Sequence, residues 1–233
     1  MNDAKKMSLR SRLAVRFCLG VTIGIAVLFI PAGSLRFWEG WVFIGELVAA
    51  SLFMSIYFYR HDRGLLERRL ETREKENTQR IFRKLWAPLW SWGMILAGFD
   101  YRFGWSESFF GQVPPLWLTV MVQALVLAAY WLVFQVMKTN SFASSVIRVE
   151  AGQRVISTGP YRLVRHPMYS AIVLLLLATP LALRSYAAVP LFVMLIPLLV
   201  FRLFNEEKLL RQSLPGYAEY CERTRFRLVP FVV

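Results

Sequence analysis

The sequence predicts an all-α fold: a polytopic transmembrane bundle of about six spans, with a C-terminal helical hairpin, a cytoplasmic loop and a tail helix. Of the 233 residues, 56% are hydrophobic and only 18% are charged, whereas soluble domains carry about a quarter charged residues. The hydrophobic residues form long runs, and basic residues gather between alternate runs. These three observations indicate an integral membrane protein.

Three hydrophobic runs in the first half predict the first spans, at residues 13–30, 41–59 and 85–99. The run 41–59 is long enough to cross about 30 Å of hydrocarbon as a helix. The run 13–30 follows several basic residues, as the apolar part of a secretory signal does. Its length and the internal Arg16 favour a span that is retained. The run 85–99 is the shortest of the three and the weakest prediction of the six.

The second half predicts three more spans, at residues 116–137, 168–183 and 187–204. The last two are separated by very few residues, so they must form a tight antiparallel hairpin that turns near residues 183–187. This hairpin brings the end of its second helix back beside the start of its first.

Charge predicts the orientation of the bundle. Residues 60–84 contain nine lysines and arginines, while Arg102 and Arg184 stand alone in the loops on the other side. The positive-inside rule then places both termini and the basic loops in the cytoplasm. The net charge of +13 is explained by this rule and by attraction to anionic lipids, so no nucleic-acid partner is expected. Residues 1–137 hold the N-terminal helices and the basic loop 60–84, and residues 138–233 hold the hairpin, as one integrated unit.

Several common functional sites are excluded by residue type. The only histidines are His61 and His166, and the two cysteines, Cys18 and Cys221, lie far apart. No zinc site of the usual composition can form from these residues, and we expect no metal and no disulfide. Neither standard glycine-rich nucleotide loop is present.

The polar stretch 153–169, which lies between apolar segments, holds the first cluster of candidate functional residues. Gly159 and Pro160 break the chain, and Pro167 favours the first turn of the following helix. His166 therefore lies at a helix N-terminus, where unpaired N–H groups attract anions. Taken alone, such a cluster is also typical of a basic interfacial anchor.

A second cluster favours a site over an anchor. Arg202 and Glu206 are four residues apart, so they share one helix face, and Glu207 lies about 100° around that helix. As an exposed pair, Arg202 and Glu206 would contribute only a few tenths of a kcal/mol. The predicted hairpin, however, brings them next to Arg165 and His166. Two polar clusters are thus expected to meet at one membrane depth.

Over about residues 139–231, the pattern resembles the isoprenylcysteine carboxyl methyltransferase family. The signature of that family is an apolar pair, GxY, RHPxY, a helical hairpin, R-x3-EE-x2-L and a closing Y-x2-Y. The matching residues here are Val155 and Ile156, Gly159 to Tyr161, Arg165 to Tyr169, Arg202 with Glu206, Glu207 and Leu210, and Tyr217 with Tyr220.

The resemblance implies an enzyme that binds S-adenosyl-L-methionine without a Rossmann fold, in a cytoplasmic cup that opens to the lipid. Many family members have histidine where this chain has Gln153, but glutamine also donates and accepts hydrogen bonds. Carried over residue by residue, the implied cofactor-binding positions are Glu150, Gln153, Arg154, Val155, Ile156, Tyr161, His166, Pro167, Met168, Tyr169 and Glu206.

The resemblance also implies the reaction. Arg202 falls at the position linked to the acceptor carboxylate, so it is the predicted substrate-binding and catalytic residue. A carboxylate needs no general base, whereas an amine acceptor must lose a proton, for which Glu207 is the candidate base. The expected reaction is carboxyl O-methylation of an isoprenylcysteine-like, prenylated or other lipid-soluble acceptor that enters from the bilayer.

Three alternatives stay open at this point. They are a phospholipid or amine N-methyltransferase, an NADPH-dependent membrane sterol-type reductase, and a non-enzymatic membrane scaffold. The short chain with its own upstream helices is similar to prokaryotic members of the family, which predicts an inner (cytoplasmic) membrane location.

Overall fold

The computed structural model describes residues 7–71, 77–143 and 152–230. Within these ranges the chain forms nine α-helices, and a 3₁₀ turn, Gly159–Arg162, lies between the sixth and the seventh. The helices are α1 (Leu9–Ala32), α2 (Trp38–His61), α3 (Arg63–Leu70), α4 (Asn77–Phe103), α5 (Trp105–Phe110), α6 (Leu116–Thr139), α7 (Pro167–Ala182), α8 (Val189–Ser213) and α9 (Tyr217–Arg223).

All six segments predicted as spans are helical, and four of them are clearly able to cross a membrane. Helices α1, α2, α6 and α8 have 24 or 25 residues and a mean hydropathy between 1.7 and 2.4. Helix α7 is apolar but has only 16 residues. The all-helical membrane fold is therefore confirmed, and the number of six spans stays a prediction.

Helix α4 differs most from the prediction, because it runs through 27 residues where we expected a short span at 85–99. Its sequence is amphipathic, and the charged residues before position 85 continue the helix instead of ending it. Two glycines let α4 pack closely against its neighbours. A Cβ at Gly98 would lie 2.4 Å from the carbonyl oxygen of Leu28, and one at Gly93 would lie 2.7 Å from the Phe192 ring. Helix α4 is thus fixed between α1 and α8.

The hairpin of α7 and α8 is confirmed, and its turn lies in residues 183–188. Helix α7 also packs extensively along α6. The turn is held by a buried polar cluster in which Ser106 and Ser185 both donate hydrogen bonds to the carboxylate of Asp100. The backbone N–H of Tyr186 donates to Ser106 Oγ at 2.8 Å. This cluster, next to α5, marks one end of the bundle, which we call the far end.

The opposite end carries α3, the 3₁₀ turn and α9, and we call it the basic end. The loop predicted at 60–84 is not simply a solvated charged segment there, because it contains α3 and the start of α4. Leu65 and Leu66 of α3 are buried against Phe58, Phe134 and Met137. The apolar pair inside the charged loop therefore seats α3 on the ends of α2 and α6.

We expect the basic end to face the cytoplasm, because the lysine and arginine residues concentrate there. Single cysteines can test this in a protein whose free Cys18 and Cys221 are replaced by alanine. Ser108→Cys, on the exposed surface of α5, should react with an impermeant maleimide in sealed right-side-out vesicles. Glu67→Cys, at an α3 side chain that is 59% exposed, should react only after permeabilisation. The opposite labelling pattern would reverse the orientation.

Candidate functional site

A buried carboxylate, that of Glu207 near the end of α8, joins three parts of the chain at the basic end. Arg165 Nη1 donates to Glu207 Oε1 at 3.0 Å, and Arg227 Nε donates to Glu207 Oε2 at 3.1 Å. His166 Nε2 lies 3.4 Å from Oε1, and the side chains of Arg165, His166 and Glu207 are at most 8% exposed. Buried charges are costly unless they are paired. The three parts of the chain are therefore held in the arrangement that keeps these charges together.

The segment after α9 is held along the start of α7 by its backbone. The N–H groups of Arg165 and His166 donate to the carbonyl oxygens of Phe226 and Arg227 at 2.9 and 3.0 Å. The Arg165 guanidinium also donates to the carbonyl oxygens of Thr224 at 2.7 Å and Arg225 at 3.0 Å. The single Arg165 side chain thus satisfies carbonyl groups that would otherwise lack partners, and it fixes the tail against the hairpin.

The 3₁₀ turn positions Tyr161. Gly159 has φ of +56°, and a Cβ there would lie 2.9 Å from Thr139 Oγ1, so glycine is required both for the conformation and for the close approach to α6. Asn140 Nδ2 donates to the Tyr161 hydroxyl at 2.9 Å, and Tyr220 donates to the Tyr161 carbonyl oxygen at 2.7 Å. Burial raises the pKa of Tyr161 to about 12, so its hydroxyl stays protonated at neutral pH.

A second polar chain links α7 and α8 beside this turn. The Tyr169 hydroxyl donates to Glu206 Oε2 at 2.5 Å, and Arg202 interacts with the same hydroxyl. Arg202 is only 9% exposed, and its guanidinium carbon lies 4.8 Å from the centre of the Phe82 ring. Residues of the two predicted clusters are therefore in contact, as the hairpin predicted.

These groups surround a cavity of about 630 Å³, within the range of roughly 300–1,000 Å³ that ligand sites occupy. Its polar part, at the basic end, is lined by residues 153–156, the 3₁₀ turn and the start of α7. Its apolar part extends between the helices as far as Thr179 on α7 and Tyr130 on α6. Since Thr179 lies 12 positions after Pro167, the cavity reaches about 18 Å along the bundle.

The structure brings most of the predicted site residues to this cavity. The predicted residues that line it are Gln153, Arg154, Val155, Ile156, Tyr161, His166, Pro167, Met168, Tyr169, Arg202 and Glu206. Glu150 lies outside the described residues. Glu207 is not among the lining residues, because its carboxylate points at Arg165, His166 and Arg227. This geometry gives no support to Glu207 as a general base.

Sequence reasoning missed the cavity wall that the first half of the chain supplies. Phe82, Trp86 and Trp90 of α4 form an aromatic stripe along the cavity, and Arg69 of α3 joins its polar part. The stripe had a signal in the sequence, because aromatic residues recur there at a spacing of four, which is one face of a helix. Arg69 had no such signal, since it is one of many arginines in a basic segment.

A buried polar atom indicates that the polar part of the cavity suits a polar ligand. The Tyr217 hydroxyl is shielded from solvent and has no hydrogen-bond partner in the described part of the chain, and Tyr217 lines the cavity. Buried polar groups are nearly always hydrogen-bonded in native proteins, so a ligand with donors and acceptors would complete this hydroxyl.

Comparison with family models supports a reaction class for this chain. Residues 117–215 match the model of the family described as phospholipid methyltransferase. No curated protein matches the chain. The matched region runs from α6 to the end of α8, so it includes residues 153–156, the 3₁₀ turn and both helices of the hairpin. This match supports a membrane methyltransferase that acts on lipid.

We expect Glu207→Gln to destabilise the basic end, because it leaves Arg165 buried without a charged partner. Removing one partner of a buried ion pair costs about 3–5 kcal/mol. The measurement is the thermal unfolding midpoint in detergent, together with the rate at which protease cleaves after α9. Glu222→Gln, at an exposed residue of α9, is the matched control and should change neither value. Equal behaviour of the two variants would contradict the structural role of Glu207.

Proposed function

We propose that this protein transfers a methyl group from S-adenosyl-L-methionine to a lipid acceptor. The observation that carries the proposal is the shape of the cavity, whose polar part at the basic end continues into an apolar part between the helices. A polar cofactor and an apolar acceptor would therefore meet in one space. The match of residues 117–215 to the phospholipid methyltransferase family supports the same reaction class.

The residues of the polar part have the chemistry that the cofactor needs. Val155 and Ile156 offer an apolar surface for the adenine, while Gln153, Tyr217 and His166 can hydrogen-bond to polar groups. Glu206 can accept hydrogen bonds from the ribose hydroxyls or pair with the ammonium group. Tyr169 donates to Glu206 and so holds this carboxylate in one orientation.

S-adenosyl-L-methionine supplies an electrophilic methyl group on a sulfonium, and its transfer is an in-line displacement that depends on positioning. The protein therefore has to align a nucleophile and exclude water. The aromatic stripe of α4 provides the dry wall, and Arg202 at the junction of the two parts can hold an acceptor carboxylate with its planar fork. A carboxylate is already nucleophilic at neutral pH, so O-methylation needs no further residue.

N-methylation of an aminophospholipid is the second candidate, and the description of the matched family favours it. An amine must lose a proton before it attacks. Glu206 is the carboxylate among the described lining residues, so it replaces Glu207 as the candidate base for this reaction. The two candidates differ in what Arg202 binds: the reacting carboxylate in the first, and a neighbouring group of the lipid in the second.

We expect His166→Ala and Glu206→Ala each to weaken the binding of S-adenosylhomocysteine by about tenfold or more, which corresponds to roughly 1.4 kcal/mol. Isothermal titration of the purified protein in detergent gives the dissociation constants. His61→Ala is the matched control, because His61 is exposed at the end of α2 and hydrogen-bonds to its own helix. A parallel titration with NADPH tests the reductase alternative. Tight NADPH binding without S-adenosylhomocysteine binding would overturn the proposal.

We expect Arg202→Lys to keep cofactor binding and to lower turnover of a carboxylate acceptor by about tenfold, because lysine keeps the charge but loses the planar fork. The assay is methyl transfer from radiolabelled S-adenosyl-L-methionine to prenylcysteine analogues, fatty acids and aminophospholipids. A wild-type protein that methylates only amines, with Arg202→Lys fully active, would contradict carboxyl O-methylation and leave N-methylation as the function.

A further inference from the structure

The apolar part of the cavity ends at polar side chains inside the helical bundle, far from the basic end. Tyr130 of α6 and Thr179 of α7 line the cavity there, and we call this region the inner end. Polar groups within membrane spans are costly and usually serve a function. The proposed methyl transfer takes place in the polar part of the cavity and uses neither hydroxyl group.

The hydroxyl groups of Tyr130 and Thr179 lie at about the same depth in the bundle. Helices α6 and α7 run antiparallel, and Gln123 Nε2 donates to the carbonyl oxygen of Ala182 at 3.2 Å. Seven residues along each helix from this contact, Tyr130 lies opposite Leu175. Thr179 Oγ1 donates to the carbonyl oxygen of Leu175 at 2.7 Å. This bond uses the only hydroxyl hydrogen of Thr179, so its oxygen can still accept a hydrogen bond.

Glu46 of α2 adds a carboxyl group at this depth. Helices α2 and α6 both run toward the basic end, and Gln123 Nε2 donates to the carbonyl oxygen of Glu39 at 3.5 Å. Seven residues further along both helices, Glu46 lies beside Tyr130, and the two side chains interact electrostatically. Glu46 Oε2 is shielded from solvent and has no hydrogen-bond partner in the described part of the chain. The inner end therefore offers more acceptors than donors.

The depth of the inner end indicates which part of an acceptor reaches it. Tyr169, which contacts Glu206, is ten positions before Thr179 on α7, or about 15 Å along the helix. A lipid whose reacting group lies near Glu206 would therefore place its hydrocarbon chain at the inner end. An unsubstituted chain would leave the polar groups there unpaired, and a ketone would bring no donor. A hydroxyl group brings both a donor and an acceptor.

We propose that the inner end is a hydrogen-bonding subsite for a hydroxyl group on the hydrocarbon chain of the acceptor. That hydroxyl donates to Thr179 Oγ1 and accepts from the Tyr130 hydroxyl. The proposal rests on the proposed function and narrows its substrate class to lipids that are hydroxylated far from the methylated atom. Tyr130 and Thr179 are thus specificity-determining residues.

The test compares the binding of octadecanoate with that of three derivatives. In 12-hydroxyoctadecanoate the hydroxyl lies at the depth of the inner end, in 2-hydroxyoctadecanoate it lies beside the carboxyl group, and 12-oxooctadecanoate carries a ketone. Each is titrated into detergent-purified protein, with and without S-adenosylhomocysteine, and tryptophan fluorescence is followed because Trp86 and Trp90 line the cavity. The variants are Tyr130→Phe and the matched control Tyr101→Phe, at a tyrosine of α4 that is 41% exposed and lies away from the cavity.

We expect the wild-type protein to bind 12-hydroxyoctadecanoate about fivefold more tightly than octadecanoate, because the hydroxyl forms two hydrogen bonds. The gain should be absent for the 2-hydroxy acid and smaller for the ketone. Tyr130→Phe should lose most of the gain and Tyr101→Phe should keep it, while both bind octadecanoate and S-adenosylhomocysteine as the wild type does.

A wild type that binds none of these acids, or binds octadecanoate and its 12-hydroxy derivative equally, overturns the proposal. An equal gain for the 2-hydroxy acid also overturns it, because the hydroxyl would then be recognised in the polar part of the cavity. The same holds for an equal gain with the ketone, or for a Tyr130→Phe variant that behaves as Tyr101→Phe does.

Thr179→Val keeps the proposal testable if Tyr130→Phe does not fold. Valine has nearly the shape of threonine without the hydroxyl, so we expect the 12-hydroxy gain to fall about threefold and the affinity for octadecanoate to stay the same. An unchanged gain contradicts the proposal. If the wild-type protein does not bind S-adenosylhomocysteine at all, the proposed methyl transfer fails, while the lipid titrations without that ligand still decide the role of the inner end.

Discussion

The pairing of the Glu207 carboxylate with Arg165 and Arg227 is the interaction on which the rest of the basic end depends. It connects the start of α7, the end of α8 and the segment after α9. A buried carboxylate and a buried guanidinium are each costly alone, so the segments are stable only together. The cavity has its polar lining because this pairing holds Arg165 and His166 in place.

The cavity is polar at one end and apolar at the other. Hydrogen-bonding and charged groups gather at the basic end, while α4 contributes aromatic rings toward the interior. Arg202 lies where the two meet, with its guanidinium over the Phe82 ring. The close packing at Gly93 and Gly98 keeps α4 near α8 and α1, so the width of the apolar part depends on the approach of α4 to the Phe192 ring and to the backbone of α1.

The sequence predicted the parts of this architecture that follow from local rules. Long apolar runs gave the helices, and the short connection at residues 183–187 gave the hairpin, from which the approach of Glu206 to Tyr169 followed. The sequence does not decide whether Glu206 or Glu207 faces the cavity, because adjacent residues on a helix point about 100° apart, and only the packed tail separates the two. Arg69 was hidden for a similar reason. In the sequence, nothing distinguishes Arg69 from the other arginines of residues 60–84. Its position follows only from the packing of Leu65 and Leu66, which fixes the orientation of α3.

The tail that Arg165 secures has a consequence for the order of assembly. A chain leaves the ribosome from its N-terminus, so every helix that lines the cavity is made before residues 224–228 can dock. Until then the buried charges of Arg165 and Glu207 lack their final shielding, and the polar side of the cavity stands open. Docking of the tail is therefore a closing step that follows membrane insertion. A chain that stops after α8 would keep its hydrophobic helices but lose the tail contacts that hold the polar lining of the cavity in place.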